Sequence, residues 1–332
     1  MPHLWQHNGG PEVIKLVYRT DVHLAVQAPQ SRLDDWAATI LGKLDQVAEI
    51  AREVGAQAIL DNGDFFHIKT PSRTTHALIC QIADAHKGYV DVYGNIGNHD
   101  CKYGDYAFLS ESPLGVLFDT GVFKRCYDQH EAVFEQGGVK VRVVGIPYHG
   151  KKYDLNRITT ITKGDEDYLV VMAHLLASPG GGEMFGSEDI VPYAELANLD
   201  PDLWCFGHWH KNQGVVRVGK KIIVNIGSLT RGSLSEDEVT RIPECAVLSF
   251  SKKGIEVEQR PLKVAPASEV FDLVGRTRQE ARAMTVDAFV DSVKTTLTAK
   301  PAESLLDQVR ALVAPDAVKE RLMAYLEAEG AS

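Results

Sequence analysis

The hydrophobic pattern divides the chain into three textures. In the first, short apolar runs alternate with amphipathic stretches. Val13-Ile14-Lys15-Leu16-Val17-Tyr18 predicts a strand that runs into Thr20-Asp21-Val22-His23. Leu33, Trp36, Ile40, Leu44, Val47 and Ile50-Ala51 then recur at helical spacing to about Val54, and Gly55 supplies a stop. Ala58-Ile59-Leu60 predicts a second buried strand that ends at Asn62-Gly63-Asp64. A helix is expected over residues 74–85, and the apolar run at 89–93 leads to Gly97-Asn98-His99-Asp100. Strand, helix, strand, helix, strand, with polar residues after each strand, is the pattern of an α/β sheet. The site of such a sheet lies at the strands' carboxyl ends.

The second texture begins near Phe123. Short runs at 132–134, 139–144, 168–172, 203–206, 214–218 and 222–226 are separated by turns such as Gln136-Gly137-Gly138 and Val218-Gly219-Lys220-Lys221. Residues 246–250 and 255–259, around Lys252-Lys253-Gly254, read as one more hairpin. Two sheets packed face to face, flanked by the helices of the first half, are therefore expected. Leu262 to Pro266 reads as a linker, and strand character then nearly vanishes. Helical stripes (Phe289, Val293, Leu297; Leu305, Val309, Leu312; Val318, Leu322, Tyr325) are punctuated by Pro301 and Pro315. The pattern thus predicts a main domain over 1–262 and a small helical module over 267–332 that packs on it or on another protein.

Composition narrows the classes. With 332 residues, 44% apolar and 24% charged, the chain reads as an ordinary soluble globular protein. Its formal net charge of −10 argues against broad electrostatic binding to nucleic acid, which needs local Lys and Arg. From Pro266 onward eleven acidic residues outnumber eight basic ones, so the tail is not a basic arm. Five scattered cysteines (Cys80, Cys101, Cys126, Cys205, Cys245) lack CxxC spacing, which speaks against disulfides or a thiolate zinc site and for a reducing, cytoplasmic setting. No secretory signal is visible before Pro11 and no run is long enough for a membrane span, so no membrane partner is expected.

The candidate chemistry sits at the ends of the apolar runs. Asp21-Val22-His23, Asp64, Asn98-His99-Asp100, His174 and Gly207-His208-Trp209-His210 each follow one. Imidazole, carboxylate and amide donors in this mixture suit divalent metals of intermediate softness such as Mn, Fe or Zn. Asp21 and His23 stand two apart on one side of an extended segment, and His208 and His210 repeat that spacing. Two such pincers with Asp64 between them point to two ions rather than one. Any single motif is no more than an ordinary turn; five in succession are a constellation.

These motifs together, Asp21-x-His23, Gly63-Asp64, Gly97-Asn98-His99-Asp100, His174 and Gly207-His208-x-His210, resemble the signature of the calcineurin-like metallophosphoesterases. That resemblance implies a four-layer αββα sandwich. It also implies a first ion on Asp21, His23, Asp64 and His210, and a second on Asp64, Asn98, His174 and His208. His99 would be the catalytic histidine, with Asp100 orienting its ring. The ions would be two divalent metals, Mn²⁺ before Fe, Zn or Mg. Gly63-Asp64-Phe65-Phe66-His67, Thr70-Pro71-Ser72-Arg73, Gly186-Ser187-Glu188-Asp189 and Gly227-Ser228 are similar to the SbcD-type DNA double-strand-break repair nuclease subunits, in which the histidine at the position of His67 adjoins the metals. This branch implies DNA as substrate and a coiled-coil ATPase partner of SbcC type on the C-terminal helices, and it admits a homodimer. Lys69, Arg73, Lys102, Lys211 and Arg231 are the basic residues placed for a nucleic-acid backbone. The competing expectations are a stand-alone phosphatase or phosphodiesterase acting on nucleotides, small diesters or phosphoproteins, and a binding module with a decayed site. Seven intact donor positions argue against the last. No phosphate-binding glycine loop of the Walker type occurs, so an ATP-driven step would need another chain.

Overall fold

The computed structural model describes residues 13–67, 74–102, 105–184 and 187–273, with 275 and 319. The chain divides into two compact units at Phe271/Asp272. The tail's helical stripes lie outside the described residues.

The first unit opens as the alternation predicts. Strands β1 (Ile14–Arg19), β2 (Ala58–Asp61) and β3 (Asp91–Gly94) are parallel, linked by helices α1 (Trp36–Val54) and α2 (His76–His86). Asp35 caps α1 by accepting from Ala38 N, and Gly55 closes it with φ +67°, a conformation that costs glycine little. The cap also corrects the expected start. Leu33 precedes it, stays outside the helix and is 64% exposed. The third strand is shorter than its apolar run, so Asn98, His99 and Asp100 sit in a separate turn. The short β4 (Lys124–Arg125) follows on the edge beside β3.

The second half builds the facing sheet. Hairpin β5 (Ala132–Gln136) and β6 (Val139–Ile146) is followed by β7 (Tyr168–Ala173). A small sheet of β8 (Ala177–Ser178), β9 (Gly182–Met184) and β10 (Glu188–Pro192) intervenes before β11 (Leu203–Phe206). Hairpin β12 (Gly214–Val218) and β13 (Lys221–Asn225) completes the order β12-β13-β11-β7-β6-β5. The last hairpin, β14 (Glu244–Ser251) with β15 (Gly254–Pro261), crosses back to the first sheet, where β14 lies antiparallel to β1 with Ile14 opposite Phe250. The result is two six-stranded sheets with helices outside, the αββα sandwich.

Strand alternation explains the layers. Leu16, Tyr18 and Leu60 face Val170, Met172, Leu203 and Cys205 between the sheets. Val17 and Ile59, one residue out of phase, face Ile40, Leu44 and Val47 of α1. Val171, Trp204 and Ile223 point outward from the second sheet. That outer face is covered by Tyr193 and Leu196 of a short helix (Tyr193–Leu196) and by Ile158, not by first-half helices. Residues 262–271, which the sequence assigns to a linker and the start of the tail, pack on the first unit. Leu262 N–H donates to Pro243 O, Leu33 N–H donates to Val270 O, and Val270 and Phe271 are buried.

Candidate metal centre

The site forms where the parallel strands of both sheets end. Asp21 and His23 follow β1, Asp64 follows β2, the 98–100 turn follows β3, His174 follows β7, and His208 and His210 follow β11. Four of these residues hold left-handed backbone: Asp21 (φ 52°), His23 (φ 50°), Asp64 (φ 52°) and His208 (φ 77°). Non-glycine residues avoid that region, so its concentration here marks backbone bent to aim side chains. The turns also pack too closely for any side chain at Gly97, where a Cβ would stand 2.1 Å from Asp64 Oδ1.

Two buried amides fasten the sheets beneath the site. Asn62 Nδ2 lies within 3.1 Å of Tyr18 Oη, Ala173 O and Cys205 O. Asn95 Nδ2 lies within 3.2 Å of Asn62 Oδ1, Ile146 O and Met172 O. Buried N–H donors satisfied across a sheet interface fix one register and one spacing. Neither residue shows a role in the sequence, where each reads as a strand-end turn residue.

The donors converge in two overlapping groups, Asp21/His23/Asp64/His210 and Asp64/His174/His208, each with ligand-type atoms within 4.8 Å of one another. Asp64 belongs to both. His23 Nε2 lies 2.9 Å from His210 Nε2 and 3.8 Å from Asp64 Oδ2, and His210 Nε2 lies 3.6 Å from Asp21 Oδ1. Around an ion with ligand bonds of ~2.0–2.2 Å, neighbouring donor atoms stand roughly 3–4 Å apart, so the spacing fits. His174 supplies the sharper test. Its Nδ1–H donates to Asn62 O at 2.7 Å, which leaves the Nε2 lone pair 3.4 Å from Asp64 Oδ2. Both atoms are buried and neither makes a hydrogen bond. Two acceptors facing each other in the interior call for a cation between them.

Without an ion a proton takes that place: burial disfavours a charged His174 ring, yet the Asp64 carboxylate, with Asp21 behind it, raises it to about 10. Burial alone would raise Asp64, but the imidazoles of His174, His99 and His23 hold it well below the usual carboxylate range. Burial, then the His210 ring, keeps His23 well below the ordinary histidine value, in the neutral form that binds metals.

His99 and His67 stand at the mouth. Their rings stack at 5.3 Å and 13°, and His67 joins His23 and His99 in a third group. His99 Nδ1–H donates to His67 O at 2.9 Å, leaving Nε2 as the basic nitrogen. Asp100 does not orient His99, contrary to the sequence expectation. It is fully buried and accepts from Asp64 N (2.7 Å), Gly97 N (2.8 Å) and Phe66 N (3.2 Å), so it ties the two strand-end turns together. Burial, then the Asp64 charge, pushes Asp100 up to about 8. Asn98 is half-buried at the head of the turn that delivers His99 N to Asp64 Oδ1 at 2.7 Å. In the sequence Glu188 enters only through a resemblance, and the structure gives it a contact. Its Oε1 lies 2.9 Å from His208 Nε2 and accepts from Tyr153 Oη at 3.1 Å. Nε2–H of His208 therefore donates to a carboxylate, and Nδ1 keeps the lone pair.

An open cleft of about 670 Å³ lies over these residues, with Trp36, Trp209 and the segment from Ser228 to Glu238 as its walls. Of the basic residues expected to meet a nucleic-acid backbone, Lys211 lines this cleft and faces Asp237 at 3.2 Å. Lys102 pairs with Glu111 at 2.7 Å. Arg231 is buried, with its guanidinium on the carbonyls of Val239 and Ala265, and so cannot reach a ligand in the cleft. Lys69 and Arg73 lie outside the described residues.

Comparison with known proteins closes the assignment of class. A profile of the calcineurin-like phosphoesterases matches residues 14–212, and the chain belongs to that family. The family consists of metal-dependent phosphoester hydrolases that use two ions, and this chain carries candidate residues for both. No curated protein matches the chain. Among solved structures, a putative 5′-nucleotidase from Staphylococcus aureus is similar at TM-score 0.50 and 19% identity, covering 76% of this chain and 54% of its own. The chain thus spans about half the length of that protein. A dimetal phosphatase from Danio rerio (TM-score 0.48, 11% identity) covers 76% of this chain and 97% of its own. The calcineurin-like phosphoesterase YfkN from Bacillus subtilis (0.46, 15%) covers 83% and 98%. Among the described residues, no helix is long and apolar enough to cross a membrane.

Proposed function

We propose that this chain is a two-metal phosphodiesterase, with Mn²⁺ as the preferred ion and a DNA phosphodiester as substrate. The observation that carries the metal part is the pair of buried, unbonded acceptors, Asp64 Oδ2 and His174 Nε2, inside a cluster of O and N donors. Asp21, His23, Asp64 and His210 would hold one ion; Asp64, Asn98, His174 and His208 the other. Bound there, two divalent ions supply Lewis-acid polarisation of the phosphoryl oxygens and a lowered pKa for the attacking water. His99 stands at the substrate side. As the water oxygen bonds phosphorus and the P–O bond to the leaving group breaks, His99 protonated at Nε2 would give that proton to the departing oxygen, and the proton released by the attacking water would restore it. His67 holds the His99 ring through its carbonyl, and the turn bonded to Asp64 fixes where that ring can reach.

The DNA reading rests on the similarity to SbcD-type subunits, and with it go a coiled-coil ATPase partner on the tail and a homodimer. A second reading, a stand-alone phosphodiesterase or phosphatase for nucleotides or small esters, is favoured by the cleft. Apart from its histidines, Lys211 is its one basic residue among the described ones, and Asp64, Asp237 and Glu238 line it too. Purified chain with Mn²⁺ should be assayed on an aryl phosphodiester, end-labelled single- and double-stranded DNA, and a nucleoside monophosphate. Cleavage of DNA supports the first reading, and monophosphate turnover without DNA cleavage supports the second. Full activity in excess chelator would refute both.

A further inference from the structure

A second cavity, of about 160 Å³, lies against α1 behind the wall of the catalytic cleft. Among the described residues, four basic ones line it, Arg32, Lys43, Arg231 and Lys263, and no carboxylate does. Arg32, Lys43 and Arg231 are 7%, 3% and 4% exposed, so three of these cations are interior. Asp34 takes both Arg32 Nε and Nη2, at 2.8 and 2.7 Å, and Glu238 is bound to Arg241. Lys43 and Arg231 have no such partner among the described residues. Lys43 Nζ donates to Leu229 O at 3.1 Å, Arg231 Nη2 to Ala265 O at 2.7 Å, and Arg231 Nε has no hydrogen bond. The interior cations outnumber the carboxylates near them, Asp34 and Glu238, and a bound anion would relieve the cost of that excess. The same imbalance shows in Lys43, which burial, then Arg32, Arg231 and Arg241, pushes down to about 7.

The helix itself leaves room. Gly42 lines the cavity in the middle of α1, and a Cβ placed there would meet nothing within 4 Å. A glycine inside a helix lowers stability relative to alanine, and Gly42 is exposed, so this side of the cavity opens to solvent. At ~30 Å³ per water the space would hold about five waters. That suits a phosphate with some solvent and is too small for a nucleoside.

We propose that this cavity binds a tetrahedral oxyanion, either free phosphate or the terminal phosphate of a larger ester, held by Lys43 and Arg231. The site stands behind the catalytic wall. Lys43 and Arg32 hold the carbonyls of Leu229 and Arg231, and Thr230 and Gly232 line the cleft on the other side.

The test uses the full chain stripped of metal by chelator, so that phosphate cannot bind through ions at the catalytic centre. Inorganic phosphate is titrated calorimetrically at constant ionic strength against chloride. One saturable phosphate per chain is expected. Lys43→Met keeps the bulk and removes the charge, and should weaken binding by roughly 10–100-fold. Gly42→Leu should abolish binding and melt no lower than the wild type, because leucine is the better helix former. Competition by adenosine monophosphate would identify the esterified source, and its failure the free ion. Absence of saturable binding to wild type would overturn the proposal, as would binding that neither variant changes.

Discussion

Replacing Glu188 by leucine should cost the protein one metal ion and leave the other. Glu188 is 3% exposed and its Oε1 receives the His208 Nε2–H at 2.9 Å, while Tyr153 Oη donates to the same oxygen. The carboxylate thus sets the tautomer that leaves Nδ1 of His208 with its lone pair. A hydrogen bond to a charged group contributes about 1.5–3 kcal/mol. Losing an outer partner of a ligating histidine typically weakens metal binding by roughly 10–100-fold, equal to about 1.4–2.7 kcal/mol. The two estimates agree. Elemental analysis after dialysis against graded Mn²⁺ should therefore show one ion held as in wild type and the other needing roughly 10–100-fold more Mn²⁺ to stay bound. Glu188→Gln, which keeps an acceptor oxygen, should fall between. Nitrogen NMR of the metal-free protein should show Nε2–H at His208 in wild type and a tautomer mixture in Glu188→Leu. Tyr153 Oη keeps its bond from Leu176 N at 2.8 Å, so the fold should survive. If Glu188→Leu kept wild-type affinity for both ions, the assigned role would be wrong.

Four further perturbations separate the metal, the acid, the pH dependence and the tail. Asp64→Asn should lose metal as well as turnover, whereas His99→Ser should keep both ions and lose roughly 10²–10⁴-fold in rate, read by elemental analysis beside kinetics. A metal-free His99 variant would contradict its placement on the substrate side. Burial, then Arg19, lowers His86 from 6.5 to about 3, so the unfolded chain binds a proton the folded one refuses. Stability should accordingly fall as pH drops from 6.5 towards 3, by up to about 1.4 kcal/mol per pH unit, and denaturant melts of His86→Leu should show a flatter acid limb. A chain ending at Phe271, whose ring lies under the guanidinium groups of Arg32 and Arg231, should fold and still hydrolyse an aryl phosphodiester. Loss of pull-down of a coiled-coil ATPase by that shortened chain would place the partner on the tail, and retained pull-down would rule that out.

Much of this site is legible in the sequence because an α/β sheet collects its strand ends. Once Asp21, Asp64, Asn98, His174 and His208 each follow an apolar run, their convergence follows from topology. What the sequence does not show is which neighbour a side chain turns to. Asp100 adjoins His99 in the chain, yet the turn buries one and sends the other to the cleft, so adjacency misleads. Glu188 lies twenty residues before His208, at the start of the central strand of a small sheet, and only the folded path brings them together. Asn62 and Asn95 look like turn residues because nothing local reveals two sheets stacked over them. The crossing of β14 to β1 is equally silent, since an antiparallel hairpin reads the same whichever sheet it joins. Arg231 looks like a surface cation after a strand, but its stem and head are packed against Phe271 and backbone carbonyls.

The central claim is that Asp64 is shared by two ions. Anomalous diffraction from crystals loaded with Mn²⁺ tests it most directly. Two peaks per chain are expected, ~3.5–4 Å apart, with Asp64 bound to both, His23 and His210 on one, and His174 and His208 on the other. A single peak, or two peaks of which only one touches Asp64, would contradict it.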